Sequence, residues 1–189
     1  MTSLYIRSLL VAVIAWTCVG SVQAANESVK FFGDYSHVES STGEHCDGYS
    51  VTLWKHKDSL IGFIDHHRGL CGDPPTGILE EVSYTASTGS LSFTAKLSDG
   101  CIFIQKSRQC VPTKDIVKFK GTLQRQVLEG MISWYRADTL QQYHSEKLIL
   151  KAKDLGTSPH ESYDTHDKWR VDYEPILKRR ALNQRMSML

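Results

Sequence analysis

The chain has 189 residues, 22 of them basic and 21 acidic, and is 41% hydrophobic. Arg7 is the one charge before residue 25, so residues 25–189 balance 21 acidic against 21 basic groups. A chain with no net charge has no field to gather nucleic acid, an anionic membrane or a polyacidic substrate, which argues against each as the main partner.

Residues 1–24 have the layout of a secretory signal peptide. Arg7 precedes a nearly unbroken apolar run from Ser8 to Val22, and Val22-Gln23-Ala24 sets small residues at a cleavage site. The run is shorter than the roughly 20 apolar residues of a membrane span, so no stable membrane insertion is expected. Thr17, Trp16 and Ala15 ahead of Cys18 do not form a lipidation signal. The expected product is exported, periplasmic or extracellular, and starts at Ala25. Asn26-Glu27-Ser28 then forms a glycosylation acceptor at the new N-terminus.

From Val29 to Asp154 the dominant period is two, broken by Gly, Asp, Pro and Ser punctuation, which predicts short antiparallel strands. Phe31 to Tyr35 opens the series. Gly48–His56 and Leu60–Gly69 follow as a hairpin turning at Asp58-Ser59. At Asp73-Pro74-Pro75-Thr76-Gly77 two adjacent prolines, which lack a backbone donor, end the pairing. Ile78–Thr85 and Leu91–Leu97 pair across Ser87-Thr88-Gly89. Phe119–Leu123 and Leu128–Ile132 turn at Arg125-Gln126, a register that sets Leu123 opposite Leu128, Gly121 opposite Gly130 and Phe119 opposite Ile132. Leu148, Leu150 and Ala152 mark the last strand.

These runs predict an all-β fold of about eight strands, with a closed meander barrel preferred to a sandwich because closure removes exposed edges. In architecture alone it resembles lipocalin- and avidin-type barrels; no sequence fingerprint of either is present. The expected organisation is a leader over 1–24, a disulfide-braced barrel over 25–154, and a C-terminal helix and tail over 155–189 packed on the barrel. Asp164 is the expected N-cap, with Trp169, Tyr173, Ile176 and Leu177 on one helical face, a kink or restart at Pro175, and Lys178, Arg179 and Arg180 near the end.

Cys46, Cys71, Cys101 and Cys110 survive leader removal, and an even number in an exported chain predicts two disulfides. The hairpin turning at Asp58-Ser59 sets Cys46 opposite Cys71, Trp54 opposite Phe63 and Leu53 opposite Ile64. Cys101 and Cys110 bracket a shorter excursion through Gln105-Lys106. Local pairing, Cys46–Cys71 and Cys101–Cys110, is preferred over a crossed pattern such as Cys71 with Cys101.

Chemistry-bearing motifs are sparse. Asp65-His66-His67 suggests a metal site, but neighbours on a strand point to opposite faces, so no metal or other cofactor is expected. G-x-S-x-G, H-E-x-x-H and the phosphate-binding glycine fingerprints are absent, and Glu80-Glu81 diverge as strand neighbours. Two features suggest binding instead. Asp73, Pro74, Pro75, Thr76 and Gly77 form a stiff loop, expected to be exposed and suited to a protein partner. Trp54, Phe63, Tyr84, Phe93 and Phe119, with Gly121 and Gly130 on a tightly curled sheet, are the candidate barrel interior and could line a lumen for a small apolar ligand. The expected function is a non-catalytic binding protein outside the cytoplasm, first a protein-facing inhibitor or immunity-type module, then a carrier of a small apolar ligand. An extracytoplasmic hydrolase is the third reading.

Overall fold

The computed structural model describes residues 28–40, 45–71, 74–97, 101–104, 109–112, 115–154 and 160–173. Its strands are β1 (Val29–Ser40), β2 (His45–His56), β3 (Ser59–Leu70), β4 (Thr76–Thr85), β5 (Ser90–Lys96), β6 (Cys101–Ile104), β7 (Gln109–Pro112), β8 (Ile116–Gln124), β9 (Val127–Tyr135) and β10 (Gln142–Ala152). Eight of them close into a barrel in the order β1-β2-β3-β4-β5-β8-β9-β10, with β10 returning to β1. Each barrel strand pairs with its neighbour in the chain. The one detour is between β5 and β8, where β6 and β7 leave as a separate two-stranded ribbon. The expected meander barrel is therefore present, and the sandwich is not.

Strand alternation accounts for the core. Val51, Leu53, Ile64, Leu91, Phe93, Val117, Phe119, Leu128, Ile132, Leu148 and Leu150 point inward and are buried together. Eight strands enclose an interior about wide enough for side chains to fill, and these aliphatic and phenyl groups occupy it. The β8–β9 register matches the sequence reading at all three rungs: Leu123↔Leu128, Gly121↔Gly130 and Phe119↔Ile132. The Phe119 ring lies over both glycines, and it stacks on Phe93 at 5.1 Å between centroids.

Strand β2 departs from simple alternation, because Tyr49 to Trp54 are all buried. Its inner face supplies Tyr49, Val51 and Leu53. Its outer face, with Trp54 and Phe63, is covered by the C-terminal segment. There Val29 and Tyr163 exchange backbone hydrogen bonds of 2.7 Å each way, Trp54 Nε1 donates to the Glu161 carbonyl at 2.8 Å, and Trp169 packs within 5.7 Å of the Trp54 ring. Trp54 and Phe63 thus do not line the barrel interior, as the sequence reading had them. They form a second apolar layer between barrel and helix.

The helix runs over 166–173, with Trp169 buried and Tyr173 on the same face, as expected. Its N-cap is Thr165 rather than Asp164. The Thr165 hydroxyl accepts the Lys168 N–H at 3.1 Å, while Asp164 instead pairs with the Lys168 ammonium at 2.8 Å. Residues 1–24, expected to be a leader, lie outside the described residues, as do Pro175, Ile176, Leu177 and the basic run Lys178-Arg179-Arg180.

The β2–β3 hairpin turns at Lys57-Asp58, with Lys57 in the left-handed region at φ 57°, so Trp54 faces Ile61 and Thr52 faces Phe63. The sequence register, centred on Asp58-Ser59, was out by two residues. A slip of two leaves every side chain on its own face, so the apolar pattern could not detect it.

The two ends of the barrel differ. At one end β2–β3, β4–β5 and β8–β9 are joined by the tight turns 57–58, 86–89 and 125–126. The other end carries the 71–75 corner, the β6–β7 excursion and the 136–141 connection. Long connections at one rim are where a rigid scaffold usually presents binding groups.

Candidate binding site at the open end of the barrel

The inward positions of four strands change character as they approach the long-loop end. On β2, Leu53 and Val51 give way to Tyr49 and Asp47. On β3, Ile64 is followed by His66 and Arg68. Ile132 of β9 is followed by Trp134, and Leu148 of β10 is preceded by Glu146 and His144. Alternation carries each of these side chains to the same end of the lumen, above the aliphatic plug. They surround a cavity of about 340 Å³, whose wall Asp115 and Tyr143 complete.

The site is tightly organised. Tyr49 and His66 stack with centroids 4.8 Å apart and planes 17° from parallel, and Trp134 meets His66 edge-on at 4.5 Å. The Tyr49 hydroxyl donates to Glu146 Oε1, and His144 Nε2 lies 3.6 Å from the same oxygen. Burial, with the Glu146 carboxylate beside it, raises the Tyr49 hydroxyl pKa well above its ordinary value. Burial pushes His66 down to about 4, with nearby Arg68 adding to the effect, so its ring is neutral at physiological pH. Trp134 is 5% exposed, and its buried Nε1–H sits beside the Tyr49 hydroxyl without a well-aligned hydrogen bond.

A second cavity of about 270 Å³ shares Asp47, Tyr49, His66 and Glu146 with the first. It lies where the barrel seam opens. β1 and β10 pair at Tyr35↔Ala152 and Ser36↔Lys151, and beyond those rungs His37 and Glu39 stand across the gap from Lys147 to Ile149. The Tyr49–Glu146 bond is common to both cavities.

The residues singled out from the sequence fall elsewhere. Phe93 and Phe119 are buried in the lumen, with Gly121 and Gly130 beside them, while Tyr84 is half-buried at the tight-turn end, 6.2 Å from Phe32. Pro74, Pro75, Thr76 and Gly77 are buried and so do not project as an exposed loop; Asp73 lies outside the described residues. The prolines end the ladder, as their missing N–H requires, but the Pro75 carbonyl still accepts the His66 N–H at 2.9 Å and ties the corner down. Thr76 donates to Asp65, which also takes the Ser50 hydroxyl at 3.3 Å.

Cys46 and Cys71 are joined, with Cα atoms 4.9 Å apart, bracing the rim beside the cavity. The bond bridges a diagonal, since Cys46 lies opposite Gly69. Cys101 and Cys110 sit on β6 and β7, whose backbone register sets them opposite Pro112 and Phe103. Their side chains, and with them the second expected disulfide, lie outside the described residues.

His66 and His67 diverge, His66 into the mouth and His67 to the outer face against Ser50. Among the described residues no three His, Cys, Asp or Glu side chains are grouped to hold a metal ion. Ser50, His67 and Asp65 do cluster, at 3.1 Å and 3.3 Å from the serine oxygen. The carboxylate contacts the serine, whereas a nucleophile relay needs it on the far nitrogen of the imidazole. Ser50 is also 7% exposed. The three side chains form a polar cluster on the outer face of β2 and β3.

No family model matches the chain, and no curated protein or solved structure does.

Proposed function

We propose that the protein is an exported binding protein that holds a small polar ligand at the disulfide-braced end of its barrel. The observation that carries this reading is the cavity of about 340 Å³, walled by Tyr49, His66, Trp134 and Glu146. Ligand pockets begin at about 300 Å³ and combine aromatic walls with a few convergent polar groups. The lumen below is filled by its own side chains, so a carrier of an apolar molecule deep in the barrel has less support than a site at the rim. Export is supported by the leader-like residues 1–24 and by the Cys46–Cys71 bond, which persists in oxidising compartments. Among the described residues no helix is long and apolar enough to cross a membrane.

A protein-facing inhibitor or immunity-type role is the second reading. It loses the Asp73–Gly77 loop as its docking element, since residues 74–77 are buried. It keeps one favourable observation: Leu140 and Tyr143, 66% and 50% exposed, crown the same rim.

Native mass spectrometry on protein purified from the exported fraction without refolding tests the proposal. A bound small molecule that is lost in Trp134→Phe or Glu146→Gln supports it. A clean apo mass, together with stoichiometric capture of a protein that buries Leu140 and Tyr143, would replace it with the second reading.

A further inference from the structure

Taking the mouth as the ligand site, its charges and ring faces indicate what kind of molecule it holds. Asp47, Asp115 and Glu146 line it with one guanidinium, Arg68, and the His144 imidazole, whose Nε2 lies 3.6 Å from Glu146 Oε1. His66 does not redress the balance, because burial keeps its ring neutral. Carboxylates that outnumber the guanidinium beside aromatic rings attract a cation twice, through the carboxylates themselves and through the negative faces of the rings. The rings converge there, with Trp134 6.3 Å from Tyr49 and 6.4 Å from Tyr143. The buried Trp134 Nε1–H sits beside the Tyr49 hydroxyl without forming a well-aligned hydrogen bond to it.

We infer that the mouth binds a small organic ammonium ion, its charge set between the Glu146 and Asp47 carboxylates and its body against Tyr49, Trp134 and Tyr143. The inference deepens the proposed function and rests on it. Tyr49 already donates to Glu146, which fixes one carboxylate oxygen and leaves the other to face the ligand.

Calorimetric titration of the oxidised chain lacking residues 1–24 with three matched probes tests it. Tyramine, 4-ethylphenol and 3-(4-hydroxyphenyl)propionate share one ring and differ in charge: positive, zero and negative. Tyramine should bind about tenfold tighter than 4-ethylphenol, with the propionate weakest. Glu146→Gln keeps an oxygen to accept from Tyr49 but removes the charge. It should weaken tyramine severalfold and leave 4-ethylphenol unchanged, and Asp47→Asn should do the same. If 4-ethylphenol or the propionate binds as tightly as tyramine, the ammonium assignment falls while the mouth survives as a ligand site. If none of the three binds and Trp134→Phe leaves the native mass spectrum unaltered, the ligand site itself falls. The three-probe ranking on unmutated protein stands whether or not a variant folds.

Discussion

Gly130→Ala is the sharpest test of how the lumen is packed. A Cβ at this position would lie 2.4 Å from the Lys120 carbonyl oxygen, 2.6 Å from the Gly121 Cα and 2.8 Å from Phe119 Cζ. The first two are backbone atoms of the neighbouring strand and cannot rotate away. Relief requires β8 and β9 to part at this rung, weakening two flanking ladder hydrogen bonds at about 1 kcal/mol each. Pushing Phe119 off its rotamer adds about 1 kcal/mol. The lower chain entropy of unfolded alanine returns about 0.7 kcal/mol. The net expectation is a loss of about 2–3 kcal/mol, inside the usual range for overpacking a core. Urea unfolding of the oxidised protein measures it as a lowered midpoint at constant slope. Phe119→Leu removes the ring atom that meets both glycines, so in that background the alanine should cost about 1 kcal/mol less. A Gly130→Ala midpoint within about 0.5 kcal/mol of the unmutated protein would refute the close approach of the two strands.

Three further outcomes are expected. The Cys46–Cys71 bond closes a span of 25 residues, which by chain entropy contributes about 3.5 kcal/mol, so Cys46→Ser with Cys71→Ser should lower stability by that order; a loss under about 1 kcal/mol would show that the hairpin is already ordered in the unfolded ensemble. His66 is held neutral in the fold down to about pH 4 but takes up a proton near 6.5 when unfolded, so stability should fall as pH drops through that window. At about 1.4 kcal/mol per pH unit, reduced because the ring is only partly buried, the loss is about 2 kcal/mol. A His66 proton resonance titrating near 6.5 would contradict the burial argument, and His66→Gln should flatten the pH dependence. Thr165→Ala should destabilise the C-terminal helix by about 1 kcal/mol, seen as faster amide exchange at Lys168, whereas Asp164→Ala should leave that amide protected.

The period-two pattern, the turn residues and the need to close an edge were enough to specify an antiparallel meander barrel, because alternation and turn chemistry are local properties of the chain. The β8–β9 register was legible for the same reason: Gly121 and Gly130 fit only against each other. The β2–β3 register was not. There the apolar rows read equally well two residues apart, and the choice fell to the Lys57-Asp58 turn, which sets which strand residues face each other. Trp54 and Phe63 were misassigned because β2 is apolar on both faces, and a strand gives no local sign of which face a distant helix will cover. The same blindness hid the burial of Pro74 to Gly77. The mouth left a fainter trace, visible once the inward rows are known: Val51 to Tyr49, Ile64 to His66, Ile132 to Trp134 and Leu148 to Glu146 each pass from aliphatic to aromatic or polar over two residues. What the sequence determined was the strand and its faces. That four such rows end at one rim, and so build one cavity, was decided by barrel closure, which brings together residues as far apart as Tyr49 and Glu146.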